Sequence, residues 1–168
     1  MAVRHRLIKT PARTVWEVLA DGSRHADWVV GAPSSEPVRG QWPRLGSAIH
    51  YESRIGPLRL AGETVVRRCE RGEALEFEAR EGPFGTARIA VRLRPWGNEC
   101  LVTVDEHPLR GADGRLRRAA AKALTRIRHG AMLARLAKVC EADAAEWERR
   151  RPLGQVVASE PGRDGTRA

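Results

Sequence analysis

TARIAVRLRPWGNECLVTVDEH, residues 86–107, is the stretch that decides the fold class. In its first half Ile89, Val91 and Leu93 oppose Arg88, Arg92 and Arg94, and in its second half Val102, Val104 and Glu106 share one parity. A period of two puts successive side chains on opposite faces of a strand. RPWGNE lies between the halves as a hairpin loop, with Gly97 and Asn98 at its turn. Two antiparallel strands with one apolar and one wet face follow from this pattern.

Upstream, SAIHYESRI (47–55), LRLAGETVVRRC (58–69) and ALEFEAR (74–80) are further strand-like runs separated by Gly or Pro, and VRHRLIK (3–9) reads as a first strand. Leu75, Phe77 and Ala79 oppose Glu76, Glu78 and Arg80. TPARTVWEVLADG reads as a helix, with Thr10 placed to cap, Pro11 where a first turn tolerates it and Gly22 as the stop. Val15, Trp16, Val18 and Leu19 share one side of it. SRHADWV reads as a second short helix capped by Ser23, and the Pro-rich run up to Gly46, carrying Trp28 and Trp42 near its ends, reads as a loop.

Downstream, a helix is expected from Arg115 to Trp147. Leu116, Ala120, Ala123, Leu124 and Ile127 share one face, whereas Leu133, Leu136, Ala137, Cys140, Ala144 and Trp147 share another, so a kink or break is expected at Gly130. The expected class is therefore α+β. A curved antiparallel sheet of about six strands wraps a long C-terminal helix, with two short helices after the first strand. Residues 1–147 form one domain, and 148–168 read as a disordered polar tail.

The chain has 168 residues, enough for one domain with a real core. It carries 30 Lys+Arg against 21 Asp+Glu, a formal charge of +9. Arg dominates Lys, and with abundant Ala and Gly this matches a GC-rich bacterial genome and weakens a functional reading of the charge. Cys69, Cys100 and Cys140 lack CxxC spacing, which argues against zinc or a disulfide framework. No signal-peptide pattern opens the chain and no window has the ~18 apolar residues a membrane span needs. A cytoplasmic protein is expected.

The order of elements, together with IKTPARTVWEVLADGSRHADWV, WPRLGSAIHYE leading into GPLRL, GTARIAVRLRPWGNECLVTVDEH and the basic, Leu-rich MLARLAKVCEA, resembles the SRPBCC superfamily. These are the START-like or Bet v 1-like helix-grip domains, and the likeness is to the polyketide cyclase/dehydrase and lipid-transport branch. It covers roughly residues 3 to 142. It implies a cavity between sheet and last helix that takes a lipid, polyketide, quinone or similar apolar or amphipathic molecule. A minority of members use the cavity for cyclisation or dehydration. No shared catalytic residue carries over.

On that expectation Trp28 and Trp42 sit at the cavity mouth, either closing over a ligand or plugging the end of the sheet. The remaining lining is expected from the apolar parity of each strand: Ile49, Tyr51, Leu60, Phe77, Ile89, Val91, Val102 and Val104, with Leu124 and Ile127 from the helix. Burial of such side chains is worth about 1.5–3 kcal/mol each, so stability alone also explains them. Tyr51 offers a hydroxyl to a ligand or to backbone. Glu106 enters the pocket end if it finds a partner such as an Arg of the last helix. Trp16 reads as core and Trp96 as an exposed hairpin tip.

The histidines (His5, His25, His50, His107, His129) show no metal-ligand spacing, so neither metal nor cofactor is expected. His107 beside Glu106 reads either as a general acid/base near the cavity or as a satisfied surface residue. The serines lack a nucleophile elbow. RLRRAAAKALTRIRHGAMLARLAK carries eight Lys+Arg and no acid, yet no aromatics for base stacking. It reads as a solvated helix face, with weak contact to an anionic membrane next and no specific nucleic acid. Three functions stay open: small-molecule binding or transport, a polyketide cyclase or dehydratase using a polar pair in the same cavity, and partner contact through the basic helix. The protein is expected to be a monomer or homodimer.

Overall fold

The computed structural model describes residues 2–30, 34–55, 58–80, 86–110 and 115–150, with side chains described for these except 2, 53–55, 58, 60, 110 and 115–127. Seven strands form one antiparallel sheet. β1 is Ala2–Ile8, β2 Ser34–Arg39, β3 Ala48–Ile55, β4 Leu58–Glu70, β5 Ala74–Arg80, β6 Thr86–Trp96 and β7 Glu99–Arg110. Their order is β1-β7-β6-β5-β4-β3-β2, a meander in which only the first strand leaves its sequence neighbours to pair with the last.

The seventh strand is a correction. β2 lies inside the stretch read as a loop, pairing with β3 from Ser34↔Glu52 to Arg39↔Ala48 with an irregularity between Pro37 and Arg39. It is outermost and exposed or half-exposed throughout, so it has no apolar face to reveal it. Proline is tolerated there because an outermost strand leaves some N–H groups unpaired anyway. The hairpin between β6 and β7 closes across Trp96↔Glu99 with Gly97 at φ +60°, the left-handed region that a glycine enters freely.

After β1 come α1 (Ala12–Ala20), a 3₁₀ turn (Gly22–Arg24) and α2 (His25–Trp28). α1 buries Val15, Trp16, Val18 and Leu19, as their spacing predicts. Its capping differs. Pro11 is the N-cap and makes no side-chain capping bond, while the Thr10 hydroxyl is buried with no partner. Nor does Ser23 cap the next element. Asp21 does so, its Oδ1 accepting from Ser23 N at 3.0 Å and Ser23 Oγ at 2.6 Å.

The final helix, α3 (Arg115–Arg150), passes through Gly130 as one hydrogen-bonded element, so the expected break is absent. One helical glycine costs only about 1 kcal/mol, which the packing of the turns that follow it outweighs. Met132, Leu133, Leu136, Ala137 and Cys140 are buried at helical spacing, and α3 packs on β1, α1 and α2. Trp147 leaves that stripe and is 56% exposed. Arg24 ties the 3₁₀ turn to α3 through Asp143, donating from Nη1 to Oδ2 and from Nη2 to Oδ1. The core joins this stripe to the inner face of the sheet, on which Val66, Leu75, Phe77, Val91, Val102 and Val104 are buried.

Candidate functional site

The strand register assembles the expected lining. Phe77 faces Val66 on one side and Ile89 on the other, Val91 pairs with Val104, and Glu106 pairs with Ile89. Ile49, Tyr51, Phe77, Val91, Val102 and Val104 are buried, and Ile89 is half-buried against the same cluster. Leu60, Leu124 and Ile127 lie outside the residues whose side chains are described. Tyr51 pairs with Gly62, and a Cβ at Gly62 would lie 2.4 Å from Tyr51 Cζ. The phenol ring therefore lies directly over bare backbone, a position that no other residue at 62 leaves open.

Trp28 and Trp42 both pack into the fold. Trp28 is 1% exposed and belongs to the core cluster. Trp42 is half-buried, its Nε1 donates to the Leu19 carbonyl at 3.0 Å, and its Cβ and Cγ come within 3.1 Å of where a Gly22 Cβ would be. It closes the C-terminal end of α1, which is why Gly22 matters beyond stopping the helix. On its far side a solvent-open groove of about 580 Å³ is lined by Trp16, Glu17, Asp21, Gly22, Gln41 and Arg71. Of the expected lining residues whose side chains are described, only Trp42 borders that groove.

The aromatic residues converge on a histidine that the sequence left unmarked. His25 is 1% exposed, with ring centroids of Trp28 at 4.9 Å, Trp42 at 5.5 Å, Phe77 at 6.1 Å and Tyr51 at 6.3 Å. Burial lowers its pKa from 6.5 to about 3, so the ring is neutral at physiological pH. His25 Nδ1 and Trp28 Nε1 are both buried without a hydrogen-bond partner. Each such group costs about 1–3 kcal/mol in an otherwise well-satisfied protein. His25 stands three residues before Trp28, a spacing that puts both on one side of a helical turn. That was the available signal.

A second polar group lies where α3 meets the sheet. Glu106 Oε2 is 2.7 Å from Nε2 of His129, whose ring is 1% exposed. The parity of Glu106 was legible. One partner Glu106 meets in the last helix is His129. With the carboxylate ionised, the shared hydrogen belongs to Nε2, and in the neutral ring Nδ1 carries the lone pair. That Nδ1 is buried and has no hydrogen-bond partner. A carboxylate orienting an imidazole whose other nitrogen is unused is an arrangement suited to moving a proton.

His107 is not part of this group. It has the opposite parity, is half-exposed, and its Nε2 lies 3.0 Å from Asp105 Oδ2 on the outer face. Trp96 is exposed and Trp16 is core, as expected, and His50 is exposed. Among the described residues no group of three His, Cys, Asp or Glu could hold a metal ion, and no helix is long and apolar enough to cross a membrane. Cys100 and Cys140 are buried, and burial pushes the Cys140 thiol up to about 12.

A curved antiparallel sheet with short helices after its first strand and a long last helix packed on its inner side defines the helix-grip class. Residues 2–141 match the model of the family described as polyketide cyclase/dehydrase and lipid transport, and the chain belongs to that family, within the SRPBCC superfamily. Similar solved structures include the Zhui aromatase/cyclase of a Streptomyces species, at 16% identity and a TM-score of 0.68, with 85% of this chain and 94% of that one covered. Ara h 8.0201 is similar at 10% identity and a TM-score of 0.63, covering 84% and 97%. Identities this low establish a shared fold alone. No curated protein matches the chain at a significant level.

Proposed function

We propose that this protein binds an apolar or amphipathic small molecule between the inner face of its sheet and α3. Trp28, Trp42, Ile49, Tyr51, Leu60, Phe77, Ile89, Val91, Val102, Val104, Leu124 and Ile127 are its contact residues, with Glu106 at one end. The observation that carries this reading is the buried cluster of Tyr51, Phe77, Val91 and Val104 on the inner face of the sheet, in a chain of this family. Residues 1–147 act as one cytoplasmic bacterial domain followed by a polar tail. The basic stretch of α3 is a solvated face that aids weak contact with anionic membrane during delivery.

The test is native mass spectrometry of protein purified from its own host, followed by thermal-shift screening with lipid, quinone and polyketide panels. A discrete co-purifying mass, lost in Tyr51→Ala, is the expected result. An empty protein that no panel member stabilises refutes the reading.

A second reading, catalysis as a cyclase or dehydratase, is favoured by one observation, the pairing of the buried His129 ring with Glu106. His129 Nδ1 would take a proton from the carbon beside a ligand carbonyl while Glu106 holds the ring. Deuterium uptake at that carbon of an aryl β-diketone in D₂O, followed by NMR, tests it. Uptake above the protein-free rate that disappears in Glu106→Gln, in a variant that still binds the diketone, supports catalysis; uptake equal to the protein-free rate excludes it.

A further inference from the structure

His25 and Trp28 present two buried, unpartnered nitrogens from the same helical turn, inside a ring of aromatic side chains. Buried polar groups are kept in folded proteins where something completes them. The indole N–H only donates. The imidazole Nδ1 donates or accepts, depending on its tautomer. Both groups can be completed by oxygen: a ketone oxygen receives from either N–H, and a hydroxyl receives from the indole or donates to the imidazole. Tyr51 and Phe77, which approach the imidazole, also belong to the inner face of the sheet, so an oxygen held here sits at the end of the apolar space.

We propose that His25 and Trp28 are the polar terminus of the ligand space and take a neutral oxygen, ketone or hydroxyl, on a flat apolar ligand while rejecting a carboxylate. This rests on the binding reading above. Rejection follows from the surroundings. A carboxylate entering the site must shed its water, and it meets a buried, neutral imidazole that does not compensate its charge. Flatness follows from the four aromatic rings around the imidazole, which favour a planar partner.

The test uses 2-naphthol, naphthalene and 2-naphthoate as probes on the full chain, with affinities from NMR titration and the Trp28 indole N–H cross-peak as local reporter. One added neutral hydrogen bond predicts that 2-naphthol binds about tenfold tighter than naphthalene. It also predicts that 2-naphthol moves the Trp28 indole peak and that 2-naphthoate binds no better than naphthalene. In Trp28→Phe, and independently in His25→Phe, the ratio of naphthol to naphthalene affinity measured on the same variant should shrink to about twofold or less. Equal binding of naphthol and naphthalene with an unmoved indole peak overturns the proposal, a buried water then being the partner, and leaves the binding reading standing. Tighter binding of 2-naphthoate overturns the preference for neutral oxygen. Failure of all three probes to bind, in a protein that also binds nothing from the lipid and polyketide panels, overturns both. The cross-peak is read on wild-type protein, so the result stands even if a variant fails to fold.

Discussion

Gly62→Ala should destabilise the protein through one neighbour, Tyr51. The added Cβ would lie 2.4 Å from Tyr51 Cζ, 2.6 Å from its hydroxyl oxygen and 2.7 Å from Cε2. Carbon atoms at rest sit about 3.5–4.0 Å apart, so the ring must retreat by about 1 Å or more. Tyr51 is only 2% exposed and its phenol packs in the core, so little space receives it. Overpacking of this kind costs about 1–3 kcal/mol. Without the ring the sign should reverse, because Ala in a strand is favoured over Gly by about 0.5–1 kcal/mol. A double-mutant cycle with Tyr51→Leu, followed by urea denaturation, isolates the effect. Gly62→Ala should cost stability beside Tyr and be neutral or stabilising beside Leu, a coupling of about 2 kcal/mol. Equal effects in both backgrounds, within about 0.5 kcal/mol, would refute the steric account. Binding offers a parallel reading, since a displaced phenol intrudes on the inner face and should weaken any ligand held there.

His25 predicts a pH dependence. Its pKa is lowered from 6.5 to about 3, so the unfolded chain binds the proton more readily. Its contribution to stability is complete above pH 6.5 and is lost as the pH falls from there toward 3, by up to about 1.4 kcal/mol per pH unit. The stability of wild type relative to His25→Phe, from urea midpoints between pH 8 and 5, should fall as the pH falls, and parallel curves would show that the imidazole is not desolvated. Among the thiols, Cys69 is half-buried, whereas Cys100 and Cys140 are enclosed and the Cys140 thiol is pushed up to about 12. At pH 8 a disulfide reagent should therefore modify Cys69 in the native protein and reach the other two only on unfolding. Fast reaction of all three, located by peptide mapping, would contradict the packing.

What was legible in the sequence was what repeats. Ile89, Val91 and Leu93 against Arg88, Arg92 and Arg94 named the buried face, and Val102, Val104 and Glu106 continued it, because a strand with one wet side must alternate. Val15, Trp16, Val18 and Leu19 did the same for α1. β2 escaped because an outermost strand exposed on both sides needs no alternation, and its proline reads as a loop. Capping by Thr10 failed for a local reason. Pro11 takes the capping position itself, leaving the threonine hydroxyl buried. The site was half visible. Glu106 could be placed by parity, but its partner depends on which turn of a distant helix crosses β7, and no local pattern around His129 records that. His25 was harder still: in sequence it is a polar residue among polar neighbours, and only the closing of α2 onto Tyr51 and Phe77 removes it from water.

The two ends of the sheet bear on how the protein behaves in a crowded solution. A strand with one side unpaired is a template for any other extended chain, including a second copy of itself. β1 answers this with charge: Arg4 and Arg6 are exposed along it, so two such borders brought together would set cation beside cation. β2 answers with geometry, since Pro37 has no N–H to offer and the irregularity beside it bends the strand out of register. A sheet left open at both borders, as a curved grip around a helix requires, is thereby kept from growing into an aggregate.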